Sequence, residues 1–187
     1  MASSSLRALG LMSGTSVDGV DVALIETDGE RVTAHGPALT VPYDDETRRT
    51  IRAAFGAERP DEITQAAERA VTDAHLQAVR RWSAETGQAI ASLDVVGFHG
   101  QTVTHRPERR FTWQLGDGAA LARALGVRVV NDLRSADVTA GGQGAPLVPI
   151  YHAALVRDLP RPVAVVNVGG VASEACTTVV HLAATAR

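Results

Sequence analysis

Short apolar runs that give way to glycine and polar residues recur along this chain, and that repetition narrows its fold more than any other feature. Leu6 to Met12 leads into "SGTSVDG" (13–19), "LDVVGFHG" (93–100) ends in glycine, "VRVVNDL" (127–133) ends in polar residues, and "RPVAVVNVGG" (161–170) ends in two glycines. Runs of this length suit strands, and between several of them charged and apolar residues recur at helical spacing. Strands alternating with helices specify an α/β sheet. In such sheets ligands collect at the carboxyl ends of the strands.

The expected elements follow in order. Leu6–Met12 and Val20–Glu26 flank the glycine-serine loop as a hairpin, "TDGE" (27–30) closes the second strand as a turn, and a third strand runs near Val32 to Val41. Asp44 to Gly56 and Pro60 to Gly87 read as two helices. In the second, Ala67, Val71, Ala74 and Trp82 lie on one broad apolar face, with Pro60-Asp61 opening the helix and Gly87 closing it. A buried strand is expected at 93–100, then a strand, a turn and a helix over 111–126, starting near Asp117 and stopping at Gly126. A further buried strand at 127–133, a flexible loop at 139–149, a helix at 150–157 and a last strand at 161–170 complete the reading.

Composition excludes several classes of function. With 187 residues, 45% of them hydrophobic and 21% charged, the chain can bury a core as one domain or two small lobes. A net charge of -3, with arginines scattered among acids, argues against a nucleic-acid partner. Cys176 is the single cysteine, which excludes an internal disulfide and suits a reducing compartment. No apolar stretch approaches the roughly 20 residues that span a bilayer, and the first residues lack the apolar core of a secretory signal. The expected location is the cytoplasm, with no membrane partner.

Three stretches carry chemistry. In "SGTSVDG", glycines let the backbone approach a ligand, and Ser13, Thr15 and Ser16 add hydroxyl donors, which makes an anion cradle. Asp18 would repel a phosphate unless a divalent cation sits between them. The competing reading is an ordinary hairpin loop with Asp-Gly turn chemistry. In "GFHGQTVTHRP" (97–107), His99 and Gln101 follow a strand as polar substrate contacts or as a structural turn; zinc would need further ligands. In "NDLRSADVTAGGQGAPL" (131–147), Arg134 can grip phosphate or carboxylate, and Asp132 or Asp137 can accept protons or sugar hydroxyls, with surface salt bridging as the alternative.

Taken in order, "GLMSGTSVDGVDVAL", "GFHGQTVTHRP", "QLGDGAALA", "VVNDLRSADVTAGGQGAPLVP" and "NVGGVA" resemble the successive signatures of anhydro-N-acetylmuramic acid kinases. These belong to the acetate and sugar kinase, Hsp70 and actin superfamily, and the resemblance covers residues 6–172. It implies an α/β, ribonuclease H-like (actin-like ATPase) lobe with a mixed sheet and flanking helices. Family enzymes use ATP, Mg2+ and water to open the 1,6-anhydro ring of the sugar while phosphorylating O6, in cell-wall recycling. Carried over by motif, Gly14, Thr15, Ser16, Val17, Asp18, Gly19, Val20 and Asp21 would be the ATP loop, with Asp18 near the metal. His99, Gly100, Gln101, Thr102, Asp132 and Arg134 would line the sugar cleft. The implied partners are ATP and a small sugar, and the full-length family is compatible with a homodimer.

The resemblance breaks near its end. Where the family continues into an Asp-Thr-Gly-Pro-Gly-Asn motif bearing the base that activates water, Ser173 replaces an asparagine and no such motif follows. The expected organisation is an N-terminal lobe over 1–172 and a divergent tail over 173–187, read as out-of-frame sequence. A truncated lobe of this kind is expected to be inactive alone and aggregation-prone, because apolar surface facing a second lobe would be exposed. The alternatives are a non-catalytic nucleotide- or sugar-binding module and a structural remnant without ligand.

Overall fold

The computed structural model describes residues 5–160, 163–168 and 177–181, and it divides into two units, one up to Ala145 and one from Pro146 onward. In the first unit, strand β1 (Leu6–Ser13) turns through the glycine-serine loop into β2 (Gly19–Thr27), which pairs antiparallel with β3 (Val32–Pro42). After two helices, α1 (Asp45–Ala53) and α2 (Glu62–Thr86), β4 (Val95–Arg106) returns to lie parallel to β1. The rest of the unit comprises β5 (Phe111–Leu115), helix α3 (Gly118–Leu125), β6 (Val129–Val130) and helix α4 (Ser135–Thr139). The sheet order is β3-β2-β1-β4-β5, with β6 also paired to β4. This is the mixed sheet with flanking helices that the sequence leads one to expect.

Alternation along the strands shows where the core lies. Leu9 and Leu11 on β1 and Val20, Val22 and Leu24 on β2 are buried, while Gly10, Met12, Asp21 and Ala23 between them are exposed. A period of two puts the first set on one face of the sheet. Helix α2 covers that face with Val71, Ala78, Val79 and Trp82, and Phe98 and Leu121 complete the same cluster. Local chemistry sets the ends of α2. Asp61 accepts from the Thr64 backbone N–H at 2.7 Å while the Thr64 hydroxyl answers the Asp61 N–H, a reciprocal cap. Gly87 stops the helix in the left-handed region at φ 71°.

A Cβ at Gly87 would meet nothing within 4 Å, so only the backbone opposes a side chain there. Gly87→Ala is therefore expected to lower stability by about 1 kcal/mol. Urea denaturation should show a lower midpoint at an unchanged slope.

Three expectations change. The strand expected at 93–100 runs on to Arg106, because past Gly100 (φ 68°) the chain stays extended and pairs with β5, Gln101 opposite Leu115. Gln101 and Thr102 are thus strand residues. The buried strand expected over 127–133 shrinks to Val129–Val130, with Val130 52% exposed. Among the described residues it pairs only with β4, through Val96↔Val129 and Gly97↔Val130, and Asp132 at φ 52° ends the extension. Ser135–Thr139, for which no helix is expected, forms α4.

The second unit contains helix α5 (Val148–Leu155) and the antiparallel pair β7 (Ala164–Val168) and β8 (Thr177–His181). Gly169 and Gly170 of "NVGG", and residues 173–176 and 182–187 of the stretch read as a tail, lie outside the described residues.

Candidate functional site

β1, the first half of β4, and β6 run parallel, so their carboxyl ends emerge at one edge of the sheet. That edge carries the glycine-serine loop, the His99–Gly100 turn of β4, and Asn131–Arg134, three of the stretches singled out by sequence. It is the position where α/β sheets bind ligands.

The loop at 14–18 is held by its carbonyls. Gly14 O accepts from Gln101 Nε2 at 3.2 Å and from the Val17 N–H at 3.1 Å, closing a turn. Ser16 O accepts from Arg52 and Val17 O from Arg48, both on α1, and Asp18 O accepts from the Tyr43 N–H at 3.0 Å. A trans peptide carries its C=O and N–H on opposite sides. With the carbonyls of Gly14 and Val17 tied to the protein, the N–H groups of Thr15 and Asp18 face the other way, as an anion cradle requires. Thr15, Ser16 and Asp18 are exposed at the tip.

The two glycines of this loop do different things. A Cβ on Gly14 would approach only the Ser16 hydroxyl, at 3.5 Å, so its backbone is open to a ligand. A Cβ on Gly19 would meet Val41 O at 2.4 Å, so that glycine serves close packing of β2 on β3. Val17 and Val20 are buried core residues and offer a ligand no side chain. Asp21 lies on the exposed face of β2, where its carboxylate accepts from the Thr40 hydroxyl at 2.6 Å.

On β4 and β6 the site residues separate. His99, Gly100 and Asp132 meet around a small hollow of about 30 Å³ whose walls also include Phe98, Gln114 and Asn131. Such a volume falls below the roughly 300–1,000 Å³ of a typical ligand pocket. His99 is neutral: burial, and then the neighbouring Arg134 charge, hold its pKa below the usual value, and the Gly100 carbonyl opposes them. Its Nδ1–H donates to Gly100 O at 2.8 Å, and its Nε2 accepts from Arg134 Nε at 2.9 Å. Arg134 also donates to Gly144 O, and Asp137 accepts from the Gly144 N–H at 2.7 Å, so these residues fold the 141–144 turn onto α4. Part of the Arg134 fork is therefore spent on the protein itself.

Gln101 and Thr102 are not walls of this hollow. Gln101 is fully buried beneath the loop, and Thr102 accepts from Gln114 Nε2 at 3.2 Å across the β4–β5 pair. Sequence reasoning passed over Tyr43, Arg48 and Arg52, the donors that hold the loop from the β3–α1 corner, and Asn131 and Gln114. For the first three no local signal exists, because their role depends on α1 packing beside a loop some thirty residues earlier.

Phosphate fits the loop's open backbone and exposed hydroxyls. A Mg2+ ion, which binds through one or two carboxylates and phosphate oxygens and keeps several waters, would suit the exposed Asp18 at the loop tip. Among the described residues no group of three His, Cys, Asp or Glu side chains converges as a metal cage. None of the described helices is long and apolar enough to cross a membrane.

A family model described as anhydro-N-acetylmuramic acid kinase matches residues 6–180. Curated proteins carrying that name are similar to this chain. The one from Rhizorhabdus wittichii is 55% identical over 174 residues, covering 90% of this chain and 48% of its own length. That from Paramagnetospirillum magneticum is 57% identical over 166 residues, covering 89% and 46%, and that from Rhodospirillum rubrum is 57% identical over 166 residues, covering 88% and 44%. The chain spans about half the length of the curated relatives it matches.

Proposed function

Because the chain belongs to the anhydro-N-acetylmuramic acid kinase family, whose lobes have the actin-like ATPase fold, we propose that residues 14–21 form the ATP-phosphate loop of a sugar kinase. The reaction transfers the γ-phosphoryl group of ATP to O6 of anhydro-N-acetylmuramic acid while water opens the 1,6-anhydro ring, in the cytoplasm. Phosphoryl transfer depends on positioning and on electrostatic stabilisation of the transferring group. The chain's contribution to that is one wall of a cleft. Main-chain N–H groups of the loop, with the Thr15 and Ser16 hydroxyls, take the phosphate oxygens, and Asp18 would hold a Mg2+ ion, which would supply positive charge against theirs. The sugar lies over the hollow beside His99, Gly100 and Asp132, with Thr102 and Arg134 shaping its walls from behind. No residue among 1–187 is assigned as the base that activates water.

The observation that carries this reading is the loop whose Gly14 and Val17 carbonyls are tied inward, at the sheet edge where three parallel strands end. Calorimetric titration of the chain with ATP and Mg2+ tests it. Binding is expected, and Asp18→Asn should weaken it about tenfold, the loss of one favourable charge contact. Equal affinity in that variant would remove Asp18 from the metal, and no binding by the unaltered chain would overturn the reading. Coupled ADP release on adding the sugar separates a kinase from a binding module, since the module binds ATP without turnover.

A further inference from the structure

Beneath the loop runs a buried chain of side-chain hydrogen bonds that joins three strands. The Tyr43 hydroxyl, just past the end of β3, donates to Ser13 Oγ at 2.8 Å; Ser13, the last residue of β1, donates to Gln101 Oε1 at 2.5 Å. Gln101 Nε2 on β4 then donates to Gly14 O at 3.2 Å and to Thr102 O at 3.3 Å. Ser13 is 1% exposed and Gln101 0%, so water does not compete for these groups. The polarity runs one way. The amide NH2 faces two carbonyls, which can only accept, so the amide oxygen must take the Ser13 proton, and Ser13 is left to accept from Tyr43. Burial pushes the Tyr43 pKa up to about 12, with Asp18 adding to the rise, so its hydroxyl keeps the proton that this order requires.

The chain ends on the peptide that matters most for the loop. Gly14 O is the acceptor both of Gln101 and of the Val17 N–H that closes the turn, and Val17 itself is a β-branched residue held at φ 54° with its side chain fully buried. Such a conformation persists only where its surroundings over-determine it. Arg52 and Arg48 grip the Ser16 and Val17 carbonyls from α1, but among the described side chains only Gln101 reaches the Gly14–Thr15 peptide from the side of β4.

We propose that Gln101 and Tyr43 are positioning residues of the phosphate loop, acting through Ser13 and the Gly14 carbonyl, and that Gln101 does not contact the sugar. This inference rests on reading residues 14–21 as the loop that holds ATP phosphates. Without Gln101 the Gly14 carbonyl keeps only the Val17 N–H as a partner, so the Gly14–Thr15 peptide is held less firmly and the direction of the Thr15 N–H toward the ligand is less sharply fixed.

The test uses the whole 187-residue chain and two variants: Gln101→Met, which keeps the shape and removes the amide, and the milder Tyr43→Phe, which removes one hydroxyl and no carbon. Three quantities are measured: amide hydrogen exchange residue by residue, affinity for ATP with Mg2+, and affinity for anhydro-N-acetylmuramic acid. In Gln101→Met the Val17 amide is expected to exchange about tenfold faster, the effect of a buried hydrogen bond lost, while the Val22 and Leu24 amides in β2 stay unchanged. ATP affinity falls about tenfold and sugar affinity stays as it was. Tyr43→Phe shifts the same quantities in the same direction by a smaller factor, and decides the matter should the Met variant not fold. Unchanged Val17 exchange in a folded variant overturns the positioning role. Loss of sugar affinity with ATP affinity intact returns Gln101 to the sugar cleft and also overturns it. Failure of the unaltered chain to bind ATP overturns the phosphate-loop reading instead, and the exchange data tell the two failures apart.

Discussion

Trp82→Ala is expected to remove about 4 kcal/mol of folding stability, the largest loss from any single side chain described above. The indole is fully buried on α2 against the sheet, within the cluster that contains Leu9, Val22 and Phe98. Its Nε1–H donates to Pro37 O at 3.0 Å, so it also fastens the helix to β3, a strand whose own side chains are mostly exposed. Truncation to a methyl group leaves a cavity that a 25-residue helix cannot collapse into without moving. A domain of this size has only about 5–15 kcal/mol in total, so much of its stability depends on one residue. Trp82→Phe keeps most of the ring and loses the hydrogen bond, and should cost about 1–2 kcal/mol. Denaturation midpoints measure both, and an alanine variant within about 1 kcal/mol of the parent would show that α2 is held by other means.

Acid should destabilise the fold through His75 before most carboxylates titrate. His75 is buried on α2, with Nδ1 on Val71 O at 2.7 Å, and packs edge-on against Phe98 with ring centroids 4.8 Å apart. Its Nε2 is buried without a hydrogen-bond partner, so a proton added there would be unsolvated. Burial lowers its pKa from 6.5 to about 4, with His99 contributing in the same direction and the Val71 carbonyl opposing. Unfolded chains take up this proton near the ordinary value and the folded chain refuses it until about pH 4. Stability from this group is therefore complete above pH 6.5 and declines as pH falls through that interval, by about 3 kcal/mol in all. His99, whose pKa is also lowered, adds to the slope with the same sign. Thermal melts between pH 7 and pH 4 should show the decline, and His75→Leu should flatten most of it. A slope as steep in that variant as in the parent would place the effect elsewhere.

Capping residues made the long helix legible: Pro60-Asp61 and Gly87 act locally, and the structure places the ends of α2 where those residues direct. Asp117 and Gly126 did the same for α3. The hairpin around residues 13–19 was equally plain, since Asp-Gly turn chemistry and two flanking apolar runs are contained in a short stretch of chain. At 127–133 the same reasoning overreached. An apolar run says that a strand is apolar, but whether it lies at the centre or the edge of a sheet depends on how many neighbours it gains, and among the described residues β6 gains only β4.

Residue type and spacing alone thus determined the α/β class, the extents of the long helix and the first hairpin, the family, and which stretches carry chemistry, because each of these is written in local pattern or in motif order. Only the tertiary structure decided what each residue of those stretches does. Gln101 and His99 stand two positions apart, yet one lies beneath the phosphate loop and the other beside the hollow. Gly14 and Gly19 share a loop, yet one is open to a ligand and the other is pressed against β3. The physical reasons are tertiary: left-handed Gly100 between His99 and Gln101 breaks the alternation of β4, β3 presses on Gly19 and not on Gly14, and Tyr43, Arg48 and Gln101 reach the loop only after β3, α1 and β4 have packed around β1.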